Sequence, residues 1–388
     1  MRVLYFAPTS TLYGDNIALL NILSVFVKKG IEPYIITSRK GDFTAKLDEL
    51  GYGYSTMNFG QVLWPKLNTF RDYLFFLPRI FIYLLWFNSV FYLFFKLRKI
   101  IREFKPNLIH TNNSCVYTGI LVAKLFRIKH VQHIREFTEL SFNRKYFPFK
   151  KYFLRKFNQD WNNNIFITKG VKDLWNVNLS VSNRVIYDGV FSESFFLKKE
   201  NNKKPYFLYV GRLVKDKGVL ELLKEFYLFC QYNDVINLKI VGSGDEIYQK
   251  EIELFVSEKK ISNRVEFLGY RRDVYDLMGR AMAVFIPSYY EGFCFIPVEA
   301  TINGTLVVAR NTTGIKEQFE NGLSMTGEEI GFRFNEYEEI STIMKKIVEK
   351  GVEYYYPMIE RAQRVVKLYT IENSAESVYN YYCDILKN

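Results

Sequence analysis

The chain has 388 residues, 48% of them hydrophobic, a formal charge of +12 and four cysteines; it is longer than one core usually supports, so two domains are expected. The charge is lopsided, with 27 Lys/Arg against 13 Asp/Glu in residues 1–195 and 26 against 28 thereafter, so a surface seeking an anionic partner belongs to the first half. Cys115, Cys230, Cys294 and Cys383 show no paired spacing, which argues against a disulfide framework or a zinc site and fits a reducing cytoplasm.

From the amino end, Met1 leads straight into RVLYFAP without a basic, apolar and small-residue signal, so export is not expected. Short runs of Val, Ile, Leu, Phe and Tyr follow: PYIITS, NLIHTN, HVQHIRE, NIFITK and RVIYDG. Their spacing leaves room for a helix between each, the rhythm of βαβ units and a parallel sheet.

Two segments interrupt that rhythm. Residues 72–95, DYLFFLPRIFIYLLWFNSVFYLFF, fall within the length of a membrane-spanning helix. A single crossing would put strands of one sheet on opposite sides of the bilayer, and Pro78, Arg79 and Asn88 break the run. Helices lying on a membrane, or buried in the domain, are therefore preferred to a true span. Residues 144–157, RKYFPFKKYFLRKF, interleave six basic residues with seven aromatic or leucine side chains. This pattern suits docking on an anionic leaflet, a solvated amphipathic helix or single-stranded RNA; no nucleic-acid module accompanies it, and membrane docking is preferred to nucleic acid.

SESFFLKKENNKKP, residues 192–205, reads as a linker. A second strand series follows in YFLYVGR, INLKIVGSG, RVEFLGY, AVFIPS, LVVAR and GFRF. The expected architecture is α/β, with two Rossmann-like domains with parallel sheets facing across a cleft. Residues 1–191, with a returning carboxyl-terminal helix near 370–388, form the first and residues 205–369 the second. Ligands of such sheets collect at strand carboxyl ends.

The chemistry sits at those ends. AVFIPS stops at Pro287, so Ser288–Phe295 form a loop and Pro297 suits the first turn of a helix bearing Glu299. Glu291 lies on the loop beside Gly292, where backbone amides can approach a ligand closely. Taken singly, Glu291 reads as a surface acid and Glu299 as an acid favoured by a helix dipole. Upstream, Gly211 and Arg212 end a strand and Lys217 precedes a helix starting at Gly218. A guanidinium fork, a point charge and a helix amino terminus are what a diphosphate requires, although basic residues at such turns are common. The Ser243–Asp245 turn could add amides, but a plain tight turn suffices.

Together these residues resemble the retaining glycosyltransferases of family 4, which have the GT-B fold and include enzymes of bacterial surface polysaccharide. The resemblance covers nearly the whole chain in motif order. It implies that Arg212 and Lys217 bind the nucleotide diphosphate, Glu299 the ribose and Glu291 the donor sugar, with Gly292, Phe293 and Cys294 presenting amides to sugar hydroxyls. Tyr270 and Arg271 would border the base, UDP or GDP. LYGDNIALLNI would set Gly14 near donor phosphate and acceptor, and HIREF would turn His133 to the donor sugar, with Arg135 and Glu136 toward the acceptor. By itself His133 reads as a satisfied core histidine; His110 stands at another strand end, and His130 is given no chemical part. The chain departs from the family at Asp188 (usually Asn), Cys294 (usually Gly), Thr305 (usually Pro) and Thr313-Gly314 (usually Gly-Gly).

No Asp-x-Asp occurs, and no metal-ligand spacing is seen. The resemblance therefore implies metal-independent transfer with retention, without a cofactor beyond the donor. The basic, aromatic-rich first half adds a lipid-linked acceptor met at the cytoplasmic leaflet. A sugar-nucleotide epimerase on the same fold, or a non-catalytic nucleotide-sugar or RNA-binding protein, are the alternatives; an oxidoreductase is disfavoured because no Gly-x-Gly-x-x-Gly follows the first strand.

Overall fold

In a computed structural model of the chain the described residues are 1–57, 63–65, 94–137, 139, 144–146, 150–159, 161–175, 182–195 and 202–387. They form two compact units, residues 1–189 with 371–388, and residues 190–370.

The first unit opens with β1 (Arg2–Ala7), α1 (Gly14–Phe26), β2 (Glu32–Thr37), α2 (Asp42–Leu50) and β3 (Gly53–Thr56). Next come β4 (Leu63–Pro65), α3 (residues 94–104), β5 (Leu108–Thr111), α4 (Thr118–Phe126) and β6 (Lys129–Ile134). The last are β7 (Arg144–Tyr146), α5 (Lys150–Phe157), β8 (Asn162–Phe166), α6 (Lys169–Leu174) and β9 (Asn183–Val185). The main sheet is parallel throughout, in the order β3-β2-β1-β5-β6-β8-β9, while β4 and β7 pair separately and antiparallel. Its central strands β1 and β5 are fully or nearly fully buried because helices cover both faces. Along β1 the side chains alternate: Val3, Tyr5 and Ala7 pack with α1, whereas Leu4 and Phe6 pack with Leu97, Ile100 and Ile101 of α3 and with Val122 of α4.

The second unit repeats the plan with β10 (Tyr206–Val210), α7 (Val219–Cys230), β11 (Asn237–Val241), α8 (Glu246–Glu258), β12 (Val265–Gly269), α9 (Val274–Arg280) and β13 (Ala283–Ile286). It continues through α10 (Ile296–Ile302), β14 (Leu306–Arg310), α11 (Thr313–Thr326), β15 (Phe332–Phe334), α12 (Glu339–Lys350) and α13 (Tyr356–Val365). Its parallel sheet runs β12-β11-β10-β13-β14-β15. Phe207 and Tyr209 face one core, Tyr206 and Leu208 the other. The segment from Val190 already belongs to this unit, with Phe191 bridging Thr370.

The final helix, α14 (Ile371–Lys387), returns to the first unit. It buries Ala375, Val378, Tyr381, Tyr382 and Ile385 in the cluster that holds Leu19, Ile22 and Phe26 of α1. At about 1.5–3 kcal/mol for each large apolar side chain, that seam is a major part of the unit's core.

Among the described residues no helix is long and apolar enough to cross a membrane. Of the apolar segment 72–95, residues 72–93 lie outside the described residues, and Phe94 and Phe95 begin α3.

Candidate active site

In each unit the order of strands reverses once, between β1 and β5 in the first and between β10 and β13 in the second. The loops leaving such neighbours diverge to opposite faces and open a crevice at their carboxyl ends.

In the second unit the loop after β10 is fixed first. Tyr209 donates its hydroxyl to the Arg212 carbonyl at 2.9 Å, and Leu213 and Asp245 exchange backbone bonds with the turn after β11. A 3-10 turn, Lys215–Lys217, ends on Gly218 at φ 69°, where a Cβ would stand 2.2 Å from the Pro287 carbonyl oxygen. Only glycine lets the start of α7 sit against the loop after β13.

That approach lets Lys217 Nζ donate to Glu291 Oε1 at 2.7 Å, with side chains 15% and 16% exposed. Burial pulls the Lys217 pKa down, but the Glu291 carboxylate outweighs it and carries the group above its ordinary value, with Arg212 opposing as a like charge. Lys217 is therefore cationic, with the exposed Arg212 close enough to repel it. The Glu291 backbone is held from both sides: its N–H donates to Thr313 Oγ1 at 2.9 Å and its carbonyl accepts from Gly314 N at 3.0 Å. Gln318 Nε2 ties down the carbonyls of Phe293 and Cys294, at 2.6 and 2.8 Å, while Phe293 is buried against Tyr369.

Two departures from the family pattern acquire a structural meaning here. Cys294 sits at φ 71° and Thr313 at φ 45°, left-handed conformations that suit the glycine usual at both places. The Cys294 thiol is pushed well above its ordinary pKa by burial and by Glu291, with Lys217 opposing and Glu299 adding to the rise.

Glu299 lies in the first turn of α10. Burial raises its carboxyl to about 7, with Tyr275, whose hydroxyl lies 3.4 Å away, acting in the opposite direction. Tyr270 and Arg271 follow β12, the edge strand two places from β10. Tyr270 is 78% exposed, and Arg271 is bonded by Asp273 at 2.6 and 2.8 Å.

In the first unit, Asn16 Nδ2 gathers the turn before α1 by donating to Thr9 O, Thr9 Oγ1 and Thr11 O, all within 3.1 Å. Gly14 is exposed, with open space where a Cβ would stand. Asn112, after β5, donates to the Asp15 carbonyl at 3.0 Å and accepts from Arg135 Nε at 3.1 Å. Arg135 is ion-paired with Asp188, both side chains 3% exposed, and its Nη2 lies 3.2 Å from His133 Nδ1. Glu136 accepts from Ser114 Oγ at 2.7 Å and from Cys115 Sγ at 3.7 Å. Burial pushes its carboxyl up to about 7; Asp15 adds to the rise while Ser114 and Arg135 oppose it.

The other histidines separate cleanly. His130 is fully buried and bonded at both nitrogens, to Thr111 Oγ1 at 2.8 Å and Asn162 Oδ1 at 2.6 Å, and burial lowers it to about 4. His110 is bonded to the Tyr382 hydroxyl of α14 and buried among Tyr5, His133 and Tyr382. Asp15 and Gln318 were not marked by sequence reasoning; an acid in a first helical turn and a polar residue on a helix carry no signal until the fold brings them to a loop.

The described part of the basic segment 144–157 divides between β7 and α5, with Tyr152 exposed and three other aromatic residues turned inward. Tyr146, Phe153 and Phe157 are buried with Trp175, so they are core and not a surface. Exposed apolar residues are found on α4, where Leu121 and Leu125 are 52% and 59% exposed one turn apart. Tyr117, just before α4, meets Tyr152 of α5 at 6.3 Å between ring centroids, and Phe126 stacks on Phe94 of α3 at 6.0 Å. Exposed Lys124, Lys151, Arg155, Arg98 and Arg102 lie on the same three helices. Among the described residues no group of three His, Cys, Asp or Glu side chains is placed to hold a metal ion.

Two family models match the chain: Glycosyltransferase Family 4 over residues 14–193 and Glycosyl transferases group 1 over residues 190–365. The chain belongs to glycosyltransferase family 4. It is 31% identical over 132 residues to a glycogen synthase of Treponema denticola, covering 33% of this chain and 26% of that one. It is 27% identical over 218 residues to the N,N'-diacetylbacillosaminyl-diphospho-undecaprenol alpha-1,3-N-acetylgalactosaminyltransferase of Campylobacter jejuni, covering 53% and 54%. The chain thus spans about a quarter to half the length of these curated relatives. Among solved structures, Anabaena HepE in complex with UDP superposes with a TM-score of 0.77 at 18% identity, covering 98% of this chain and 99% of HepE. The lipopolysaccharide outer core galactosyltransferase WaaB gives 0.66 at 17%, covering 98% and 99%. These likenesses show the GT-B fold.

Proposed function

We propose that this glycosyltransferase moves a sugar from a UDP- or GDP-linked donor to a lipid-linked glycan acceptor in bacterial surface polysaccharide synthesis, with retention of configuration and without a metal ion. The Lys217–Glu291 ion pair at the β10–β13 switch point carries the reading, because it joins a cation suited to diphosphate with an acid suited to sugar hydroxyls in one crevice.

Lys217 and Arg212, with the amino-terminal amides of α7, receive the diphosphate and offset the charge that grows as it departs. Glu299 takes the ribose hydroxyls, and Tyr270 and Arg271 border the base. Glu291 grips the transferred sugar, helped by amides at Gly292, Phe293 and Cys294, and does not act as a covalent nucleophile. In the first unit Gly14 leaves room near phosphate and acceptor, His133 serves the donor sugar, and Arg135 and Glu136 serve the acceptor side. The acceptor hydroxyl attacks the anomeric carbon on the face the diphosphate leaves. The carbon–phosphate-oxygen bond breaks, the new glycosidic bond forms, and the acceptor proton passes to the departing phosphate oxygen.

A lipid-linked acceptor requires the enzyme to work at a membrane, here the cytoplasmic face. The exposed Leu121 and Leu125 of α4, with basic residues on the flanking helices, support docking there, each Lys or Arg contributing about 1 kcal/mol near anionic lipid. A panel of nucleotide sugars scored by thermal shift identifies the donor, since a ligand that binds the native state raises its stability. With that donor, Glu291→Ala should abolish transfer while unfolding cooperatively. Double replacement of Arg212 and Lys217 by Ala should weaken nucleoside diphosphate binding in calorimetry, and unchanged affinity would refute the reading.

A further inference from the structure

We infer that Arg135, pinned by Asp188, is a positioning residue that fixes His133 as its Nε2–H tautomer, making His133 a hydrogen-bond donor to an oxygen of the transferred sugar. The assignment of the acceptor atom rests on the proposed transferase reading; the tautomer does not.

The argument starts from what a guanidinium can do. Arginine carries five N–H donors and no acceptor. Nη1 of Arg135 is engaged with the Asp188 carboxylate and Nε with Asn112 Oδ1 at 3.1 Å, which leaves Nη2 facing His133 Nδ1 at 3.2 Å. A donor can meet that nitrogen only if it presents a lone pair, so the ring proton of neutral His133 is on Nε2. The ring is neutral, because burial, then the Arg135 charge, then His110 push its pKa well below the ordinary value. His133 Nε2 is buried and has no hydrogen-bond partner among the described residues. An N–H kept from water without an acceptor costs free energy, and such a group in a native fold calls for a partner from outside the chain.

His130, three residues earlier on β6, shows that the local fold does not impose this state. Its Nδ1 faces Asn162 Oδ1, and that amide is oriented by donating its nitrogen to Phe157 O and Asn164 Oδ1. The Asn162 oxygen can only accept, so His130 carries its proton on Nδ1 and accepts from Thr111 at Nε2. Two histidines of one strand are thus set in opposite tautomers, one satisfied internally and one left without a partner among the described residues. His110 also has an unpartnered Nε2, but its Nδ1 meets a tyrosine hydroxyl, which can donate or accept, so no tautomer follows for it.

Asp188 gives the arrangement its rigidity. The family usually has asparagine there, whereas a carboxylate forms a charge-assisted bond that a neutral amide does not. The cation it holds keeps His133 from taking a second proton, so the donor state should not change across neutral pH.

The test uses the whole chain with 15N-labelled histidine, whose three residues give a simple two-bond 15N–1H spectrum. Wild-type protein without substrate should show one Nε2–H histidine that does not titrate between pH 5.5 and 8, and one Nδ1–H histidine. The double variant Arg135→Met with Asp188→Leu removes both members of the ion pair together, so neither is left facing an unpaired partner. It should move only the Nε2–H residue, toward mixed tautomers, with the Nδ1–H signals unchanged as proof of the fold. In the transfer assay the same variant should lose at least about tenfold in kcat with KM little altered, a loss of about 1.4 kcal/mol in transition-state stabilisation. His133→Gln, which keeps an N–H, should retain more activity than His133→Phe. A wild-type Nδ1–H signal for His133, or an unchanged tautomer in the double variant, overturns the inference. Turnover undiminished in His133→Phe overturns the donor role alone, whereas a wild-type protein that binds no nucleotide sugar defeats the transferase reading and leaves the tautomer standing.

Discussion

Donor affinity should rise with pH through neutrality, and Glu299 should be the cause. Burial holds the Glu299 carboxyl at about 7 instead of 4.5, with Tyr275 acting to lower it. A carboxylate accepts two ribose hydroxyls, and a protonated carboxyl does so poorly. With a pKa of about 7, roughly 3% of the group is ionised at pH 5.5 and roughly 90% at pH 8, so affinity should climb by up to about 30-fold, or about 2 kcal/mol. The stability of the unliganded protein moves the other way. Because the folded pKa lies above the unfolded one, the protonated group's contribution is fully present below about pH 4.5 and lost as pH rises through about 7. Its limit is about 3 kcal/mol before solvent screening. The measurement is calorimetric titration with the sugar nucleotide itself, whose diphosphate bears no group titrating near 7, from pH 5.5 to 8. Glu299→Gln should bind more weakly at pH 8 and lose most of the slope. A flat wild-type profile, or one equally steep in Glu299→Gln, would show that this carboxyl does not hold the ribose.

Cys294→Gly should raise stability by about 0.5–1 kcal/mol in urea unfolding: a left-handed L-residue costs about 1–2 kcal/mol, and glycine gives back about 0.4–1 through its freer unfolded state. Cys294→Val, β-branched at the same φ, should cost at least about 1 kcal/mol, and a valine variant more stable than the glycine one would remove strain from the account. Leu121→Asp combined with Leu125→Asp should leave donor binding unchanged while releasing the protein from phosphatidylglycerol vesicles in sedimentation. Undiminished vesicle binding would move the docking surface away from α4.

The strands were legible because parallel sheets buried on both faces write themselves as unbroken apolar runs; every such run quoted from the sequence contributes a strand of β1, β2, β5, β6 or β8–β15. β3 was not legible. Its GYST residues are exposed or half-buried at the sheet edge and carry no apolar pattern. Residues 144–157 showed an amphipathic alternation, but alternation does not say which side meets solvent, and Tyr146, Phe153 and Phe157 are core while Tyr152 is exposed. The donor crevice was partly legible, since each half of it is local: Arg212 and Lys217 after one strand, Glu291 and Glu299 after another. Their meeting was not, because it depends on β10 lying beside β13 and not only beside its sequence neighbour β11. The Arg135–Asp188 pair joins residues 53 apart through a buried contact that no spacing rule anticipates.

The donor loop explains how this chain tolerates side chains where its family usually has glycine. Strained backbone persists only where its surroundings over-determine it. At Thr313 the hydroxyl accepts the Glu291 N–H, and at Gly314 the missing Cβ lets the helix start come close, since an added one would stand 2.2 Å from the Gly292 carbonyl oxygen. At Cys294 the carbonyl is held by Gln318, which also holds Phe293, and the Phe293 ring is buried against Tyr369. Each strained residue is therefore tied to a rigid helix through a bond on the loop that carries Glu291. The cost is borne in the unliganded protein, so the loop does not have to be ordered again when a ligand arrives, and less of the binding free energy is lost to ordering. The thiol and hydroxyl that replace two glycines are consequently fixed parts of the loop and helix start that hold Glu291.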